Sequence, residues 1–289
     1  MAIRTILAPL GGVEDDDTFL DTVFSVGKRL GAHIDAMQVG LDPRDAVAFV
    51  GEGMTAAMIE QIMQAAEREG GARGSRAADQ FKRIVEKHEA EIMETPRSAG
   101  FSARFLQLTG REDEKVAERG RLADLIVAPL PGTPPRGAPS FTLDACLRET
   151  GRPVLVMPTP VAGAFGNHIA IAWNGSVESG RAIRFAMPFL DGAYKVTVLS
   201  VYLGSTVMPT GEDVVEYLAW CGIKAKSVTV PADPSGAGAG KAMMSAALGE
   251  GADMIVMGAY TRNQLRRLIF GGVTGEVLAS VTMPVLMVH

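Results

Sequence analysis

The sequence predicts an α/β protein built as two doubly wound parallel-sheet domains in tandem. Three observations lead there. Short apolar runs, too short for helices, alternate with stretches whose apolar residues recur at helical spacing. The segment Ala123-Asp124-Leu125-Ile126-Val127 returns 129 residues later as Ala252-Asp253-Met254-Ile255-Val256, the mark of an internal repeat. The composition, 47% hydrophobic but only 6% aromatic with 33 glycines, describes aliphatic, turn-rich packing, and 289 residues suffice for two cores of ~150 residues each.

The elements follow in order. The run Ile6-Leu7-Ala8-Pro9-Leu10-Gly11 opens the first copy and corresponds to Ile169 through Gly175 in the second. An insertion at 43–96, between the second and third strands, has no counterpart in the second copy, where the segment from about Leu203 to Gly222 is far shorter. It reads as two helical stretches split by Gly70-Gly71: Met54, Met58 and Met63 line the earlier one as core residues, and Phe81, Ile84, Val85, His88 and Ile92 share a face of the later one. His88 is then a core or boundary histidine. Arg152-Pro153-Val154-Leu155-Val156-Met157 matches Met283-Pro284-Val285-Leu286-Met287-Val288 as the last strand of each copy. Pro158, Pro160, Gly163 and Gly166 form the join, so the domains are expected at 1–158 and 167–289. In the second copy Ile169–Trp173 is a strand, Ser176–Leu190 a helix, and strands at Val196–Val201, Ala225–Val230, Met254–Met257 and Pro284–Val288 alternate with helices at Asp213–Trp220, Lys241–Gly249 and from Gly272. Such alternation places ligand sites at the carboxyl ends of the strands.

Several function classes are excluded or disfavoured. Before residue 160 there are 19 basic and 24 acidic residues, after it 9 of each, so the net charge of −5 sits in the first part and no nucleic-acid partner is expected. No apolar stretch is long enough to span a bilayer and the N-terminus lacks a signal-peptide core, so a cytoplasmic protein with no membrane partner is expected. Cys146 and Cys221 lack metal or disulfide spacing and read as buried thiols. His33, His88, His168 and His289 show no metal-ligand pattern, and no Ser-His-Asp order is assignable, so neither a metal nor a catalytic residue is expected.

The densest chemistry lies directly after the strand Met254–Met257. Gly258-Ala259-Tyr260-Thr261-Arg262-Asn263-Gln264-Leu265-Arg266-Arg267-Leu268-Ile269-Phe270-Gly271-Gly272-Val273-Thr274 holds three arginines, no acid, and a Gly-Gly pair that opens a helix. Free amides and the dipole at a helix N-terminus favour phosphate, and glycines let backbone approach it. The same residues also describe a surface loop with solvated arginines and a tight turn. Ser235-Gly236-Ala237-Gly238-Ala239-Gly240-Lys241-Ala242 only imitates a P-loop, because Ser235 stands for the first glycine and Ala242 for the hydroxyl residue after the lysine.

These motifs resemble the universal stress protein family, whose nucleotide-binding members carry Gly-x2-Gly-x9-Gly-[Ser/Thr] after an Ala-Asp-[Leu/Met]-Ile-Val-Met-Gly strand. Ala252–Gly258 and Pro284–Val288 match it; Gly258 and Gly271 fall on its first and third glycines, while Thr261 and Gly272 replace the second glycine and the hydroxyl residue. Thr274 is a substitute hydroxyl, and Arg262 and Val273 lie in the same loop. The family's Asp-Gly-Ser at the first strand's end is Asn174-Gly175-Ser176 here, and Val201 stands where the family places an apolar wall against adenine. The resemblance implies Rossmann-like, adenine nucleotide alpha hydrolase-like domains related by a pseudo-two-fold, a stress-response role, and ATP or a related adenine nucleotide in the second half, held by Asn174, Gly175, Ser176, Val201, Gly258, Thr261, Arg262, Gly271, Gly272, Val273 and Thr274.

In the first copy the glycine-spaced loop is replaced by Pro129-Leu130-Pro131-Gly132-Thr133-Pro134-Pro135-Arg136-Gly137-Ala138-Pro139-Ser140, whose prolines offer no N–H to phosphate, and Leu10 takes the acid position. Glu14, Asp15, Asp16 and Asp17 would repel a polyphosphate. This copy reads as a site-less half, with Phe49, Val50 and Met54 expected to plug its vacated pocket and Arg44–Met54 beginning over it. The last strands, Pro153–Met157 and Pro284–Val288, are expected to cover one another in an internal pseudo-dimer, with a homodimer as a further association. Two functions remain: a nucleotide-responsive binding module that is not an enzyme, or a stress-related interaction or dimerisation protein with both sites degenerate. A nucleotidyl transferase or an electron-transfer flavoprotein subunit lacks a general base or second nucleotide motif.

Overall fold

The computed structural model describes residues 2–13, 16–44, 55–96, 100–130, 140–158, 163–202, 208–231, 238–259 and 272–289. The chain divides into two compact units, Ile3–Arg152 and Pro153–His289, the latter joined by Met1–Ala2.

In the first unit, β1 (Thr5–Leu10) is followed by α1 (Asp16–Leu30), β2 (His33–Gly40), α2 (Ala56–His88), β3 (Glu91–Ile92), β4 (Ser102–Thr109), α3 (Glu112–Gly120), β5 (Leu125–Pro129) and α4 (Ser140–Glu149). The described strands order as β3-β4-β2-β1-β5, all parallel. Asp16 and Asp17 in its first turn and Lys28 and Arg29 in its last suit α1's dipole. Its Phe19, Leu20, Val23 and Phe24 are buried. Gly27 is glycine because a Cβ there would stand 2.6 Å from Ile34 Cδ1.

The inserted segment departs from the sequence reading. Gly70 and Gly71 do not split it: α2 runs unbroken through both, starting at Thr55, whose hydroxyl accepts from Met58 N, and ending at Glu89 in the left-handed region (φ 54°). Two glycines cost such a helix about 2 kcal/mol relative to alanine, less than its C-terminal half recovers by burying Ala77, Phe81, Ile84 and Val85. The methionines are not its core. Met58 is half exposed and Met63 half-buried, because the N-terminal half of α2 carries little apolar contact; Met54 lies outside the described residues. Ile92 leaves the helix face altogether, joining the short strand β3 and pointing to solvent. His88 sits at the boundary, its ring against Phe24 and its Nε2 2.7 Å from Asp21.

In the second unit, β6 (Val154–Met157), β7 (His168–Trp173), α5 (Val177–Leu190), β8 (Lys195–Tyr202), α6 (Gly211–Trp220), β9 (Ala225–Pro231), α7 (Ala239–Gly249), β10 (Met254–Gly258), α8 (Gly272–Ser280) and β11 (Val285–Val288) follow in turn. Their order is β6-β11-β10-β7-β8-β9. Every pair is parallel except β6 with β11, which run antiparallel with Leu155 opposite Leu286. The two segments read as last strands of the two copies thus pair directly.

One residue of the repeated motif has the same structural task in both units. Asp124 accepts the amides of Arg4 and Thr5 at the start of β1, and Asp253 accepts those of Gly166, Asn167 and His168 at the start of β7. Strand starts expose amides that the ladder leaves unpaired, and a carboxylate one strand away satisfies them.

Candidate functional site

In the second unit the chain leaves β7 toward β8 and β9 on one side and returns to β10 and β11 on the other. The order of strands therefore reverses between β7 and β10, and in doubly wound sheets the carboxyl edge at such a switch point is where a ligand crevice forms. The register sets Met257 beside Ala172, so Trp173 and Gly258 end the two strands together.

After Trp173 the chain turns through Gly175 at φ +72°, a conformation natural to glycine. Asn174 Oδ1 accepts from Ser176 N at 3.1 Å, and Ser176 caps α5, its Oγ accepting from Ser179 N at 3.1 Å. Ser179 Oγ in turn donates to Ser176 O at 2.8 Å. The first turn of α5 lies directly on the end of β10. A Cβ at Gly258 would come within 2.7 Å of Ser179 N and 2.8 Å of Glu178 C, so glycine is required by a backbone approach. Asn174, Gly175, Ser176 and Gly258 are thereby brought together. Val201 lies one strand over, half-buried at the end of β8 and paired with Val230.

The remaining sequence-derived candidates divide. Gly272 opens α8, Val273 is exposed on it, and Thr274 is buried in it. Thr261, Arg262 and Gly271 fall outside the described residues. Two features were missed by the sequence reading. Trp173, nearly buried at the crevice, donates its indole N–H to Pro209 O at 2.7 Å; a lone tryptophan at a strand end in a chain this poor in aromatics was the available signal. Glu276 on α8 accepts the amides of Gly238 (3.2 Å) and Gly240 (2.9 Å) at the start of α7. The described glycines of the P-loop look-alike therefore donate their amides to a carboxylate of the same chain.

The first unit repeats the geometry with a different outcome. Its switch point lies between β1 and β5. Asp124 N donates to Thr5 O as Asp253 N does to His168 O, which aligns Leu10 with Trp173 and Gly12 (φ +67°) with Gly175. Gly11, and not Leu10, stands opposite Asn174; the apolar residue is simply the buried end of the strand. Here the loop amides are taken internally: Gly12 N and Val13 N both donate to Asp16 Oδ2, at 2.7 and 3.1 Å. Helix α2 lies over the loop. Arg76 Nε donates to Gly12 O and Gln80 Nε2 to Val13 O, both at 2.7 Å, and a Cβ on Gly12 would collide with Arg73 O. Phe49, Val50 and Met54, with the rest of 45–54, lie outside the described residues. The groups seen on this loop are polar side chains of α2, later in the insertion than the Arg44–Met54 stretch. Beside them Glu112 accepts from Thr142 Oγ1 at 3.0 Å. Burial pushes its pKa up, a rise the hydrogen bond from Thr142 opposes and neighbouring Asp16 reinforces.

Among the described residues no group of His, Cys, Asp and Glu is arranged to hold a metal, and no helix is long and apolar enough to cross a membrane. Cys146 is buried and burial pushes its thiol far up, so it is an inert core group; Cys221 is half-buried.

Comparison with known proteins agrees with this geometry. The model of the Universal stress protein family matches residues 227–289. No curated protein sequence matches the chain. Among solved structures, a universal stress protein from Archaeoglobus fulgidus DSM 4304 superposes with a TM-score of 0.66 at 15% identity, covering 98% of this chain and 97% of that one. A functionally unknown protein from Pseudomonas aeruginosa PAO1 gives 0.56 at 15% identity over 99% and 92% of the two chains. A putative universal stress protein from Pseudomonas aeruginosa UCBPP-PA14 gives 0.53, also at 15%, over 99% and 93%. Residues 227–289 thus match the universal stress protein family, and the chain over nearly its whole length shares its fold with a solved universal stress protein.

Proposed function

We propose that this chain is a stress-response binding module that takes an adenine nucleotide, ATP or a relative, at the crevice of its second unit. The observation that carries the reading is the seating of Gly258 on the first turn of α5, which joins Asn174-Gly175-Ser176 and the end of β10 at the point where strand order reverses. The loop that follows, with Arg262, Arg266 and Arg267 and the Gly258–Gly271 spacing, supplies the charge and backbone access that phosphates need. In this reading Thr261, Gly271, Gly272, Val273 and Thr274 line the phosphate side and Val201 the base side. The module binds and reports; it is not proposed to catalyse a reaction. An internal pseudo-dimer of the two sequence copies, and beyond it a homodimer, belong to the same reading.

A second reading, a partner-binding protein that takes no nucleotide, draws on a specific observation. Thr274, the substitute hydroxyl, is buried, and Thr261 stands where glycine is expected. Native mass spectrometry of protein purified without added ligand, followed by calorimetry with ATP, ADP and AMP, separates the two. The nucleotide reading expects one site per chain, abolished by Gly271→Val. Two sites per chain, or affinity untouched by Gly271→Val, overturns the assignment; no binding at millimolar nucleotide favours the second reading.

A further inference from the structure

The opposite edge of the first unit, at the amino ends of its strands, holds a cleft of about 460 Å³. That is within the usual size of small-molecule sites. Parallel pairing aligns Thr5 with His33 and Ser102, and Leu7 with Asp35 and Arg104, so two rows of side chains share one face of the sheet. The polar members form a closed set. Arg104 donates to both oxygens of Asp35, from Nε at 2.6 Å and Nη2 at 3.0 Å, and His33 bridges Asp35 (3.2 Å) and Ser102 (2.8 Å). A carboxylate only accepts, so His33 Nε2 is the donor to Asp35. The floor is therefore polar but internally neutralised.

What remains for a ligand is the rim and the walls. Arg4 and Arg119 line the cleft, and neither guanidinium makes a hydrogen bond or ion pair among the described residues. Glu94 is the acid of the rim, and its carbonyl already accepts from Arg104 Nη1. The apolar lining includes Met93, Ala123 and Leu122, the last 80% exposed at the lip. The corresponding edge of the second unit is built otherwise. Lys195 and Lys226 both bind Glu250, at 3.3 and 2.6 Å, and the repeat offset sets Arg121 where Glu250 stands. Only four residues, 221–224, join α6 to β9 there, whereas the longer link 89–101 supplies Met93, Glu94, Pro96 and Gly100 to the cleft of the first unit. A closed, charge-matched edge in one copy is an open, cationic and partly apolar one in the other.

We propose that this cleft binds a small amphipathic carboxylate, a medium-chain or aromatic acid, with its carboxylate between Arg4 and Arg119 and its apolar body against Met93 and Leu122. This site is separate from the nucleotide crevice. The test titrates the full chain, carrying ¹³C-methyl methionine, with octanoate and with octanol. Octanoate should bind at one site per chain and shift the Met93 methyl resonance, identified with Met93→Leu; octanol should bind at least fivefold more weakly. Arg119→Gln, at an exposed position, should weaken octanoate at least fivefold and leave octanol unchanged, and Leu122→Asp should weaken both. Excess ATP should leave octanoate binding unaltered. Absence of saturable octanoate binding, equal affinity for octanol, insensitivity to Arg119→Gln, or displacement by ATP each overturns the proposal.

Discussion

Gly258→Ala tests whether the crevice of the second unit depends on backbone contact between β10 and α5. The added methyl would meet Ser179 N at 2.7 Å, Glu178 C at 2.8 Å and Glu178 Cβ at 2.9 Å, none of them the far end of a flexible side chain. Either the strand end or the helix start must move. Overpacking of this kind costs roughly 1–3 kcal/mol. The movement also disturbs the Ser176 cap on Ser179 N, a bond of 3.1 Å, adding up to about 1 kcal/mol. A total of about 1–4 kcal/mol lowers a urea midpoint by roughly 0.5 M or more at ordinary slopes. The assay is convenient because both tryptophans, Trp173 and Trp220, lie in the second unit, so fluorescence follows that unit alone. Ser176→Ala alone should cost about 1 kcal/mol, and the double variant should fall short of the sum by about 0.5–1 kcal/mol, because the clash has already loosened the cap. An unchanged midpoint for Gly258→Ala would refute the packing argument; strict additivity would refute the coupling to the cap.

Three further outcomes are expected. Gly70→Ala and Gly71→Ala should each stabilise the first unit by about 0.5–1 kcal/mol, since both sit within α2 with open space around the would-be Cβ; thermal denaturation that shows a loss would mean the helix breaks there. Asp35 is a pH probe: burial alone would raise its pKa, but hydrogen bonds from His33 and Arg104 outweigh it and hold the carboxyl at about 2, below the usual 3.8. A depressed carboxylate contributes stability above its unfolded value and loses it as pH falls toward the folded one, so about 1–2 kcal/mol, after allowance for solvent screening, should disappear between roughly pH 5 and 2. Asp35→Asn should flatten that part of an acid titration, and an unaltered acid limb would contradict the ion-pair reading. Arg76→Ala removes the donor to Gly12 O and should cost about 1 kcal/mol while speeding amide exchange in residues 10–13; unaltered exchange would show that α2 does not hold the loop.

How much of this was legible in the sequence depends on the range of the interaction. Strand and helix alternation was readable because apolar periodicity is local, and the second unit's elements fall within a residue or two of expectation. The Ala-Asp-[Leu/Met]-Ile-Val repeat was visible, yet the task of its aspartate was not, since Asp124 reaches Thr5 across 119 residues. Gly70-Gly71 misled because glycine is a weak breaker when the helix continues into a buried face; Phe81, Ile84 and Val85 were the stronger signal. Met58 misled because hydrophobic identity does not guarantee a facing element. Asp35, Ser102 and Arg104 were passed over, and His33 was weighed only as a metal ligand. Their i, i+2 spacing on two strands hints at one face, but only the register between β2 and β4 makes them neighbours.

The two carboxyl-edge loops differ in what holds their amides, and that difference can be tested. Gly12 and Gly175 are equivalent positive-φ turns, but in the first unit the amides of Gly12 and Val13 receive the carboxylate of Asp16, whereas in the second Ser176 N receives the neutral Asn174 amide oxygen and α5 is capped by a hydroxyl. An internal anion already satisfies the donors and the helix dipole that an external phosphate would use. By position Asp16 corresponds to Ser179, yet Ser179 packs on Gly258 and a substitution there would disturb the fold. Ser176→Asp brings the same charge without that conflict, because aspartate is as good a cap as serine. The variant should keep or slightly raise the urea midpoint of the second unit, while ATP affinity in calorimetry falls at least tenfold, an electrostatic penalty of about 1.4 kcal/mol. Retained affinity with retained stability would show that phosphate does not approach the start of α5, and would move the nucleotide away from Asn174-Gly175-Ser176.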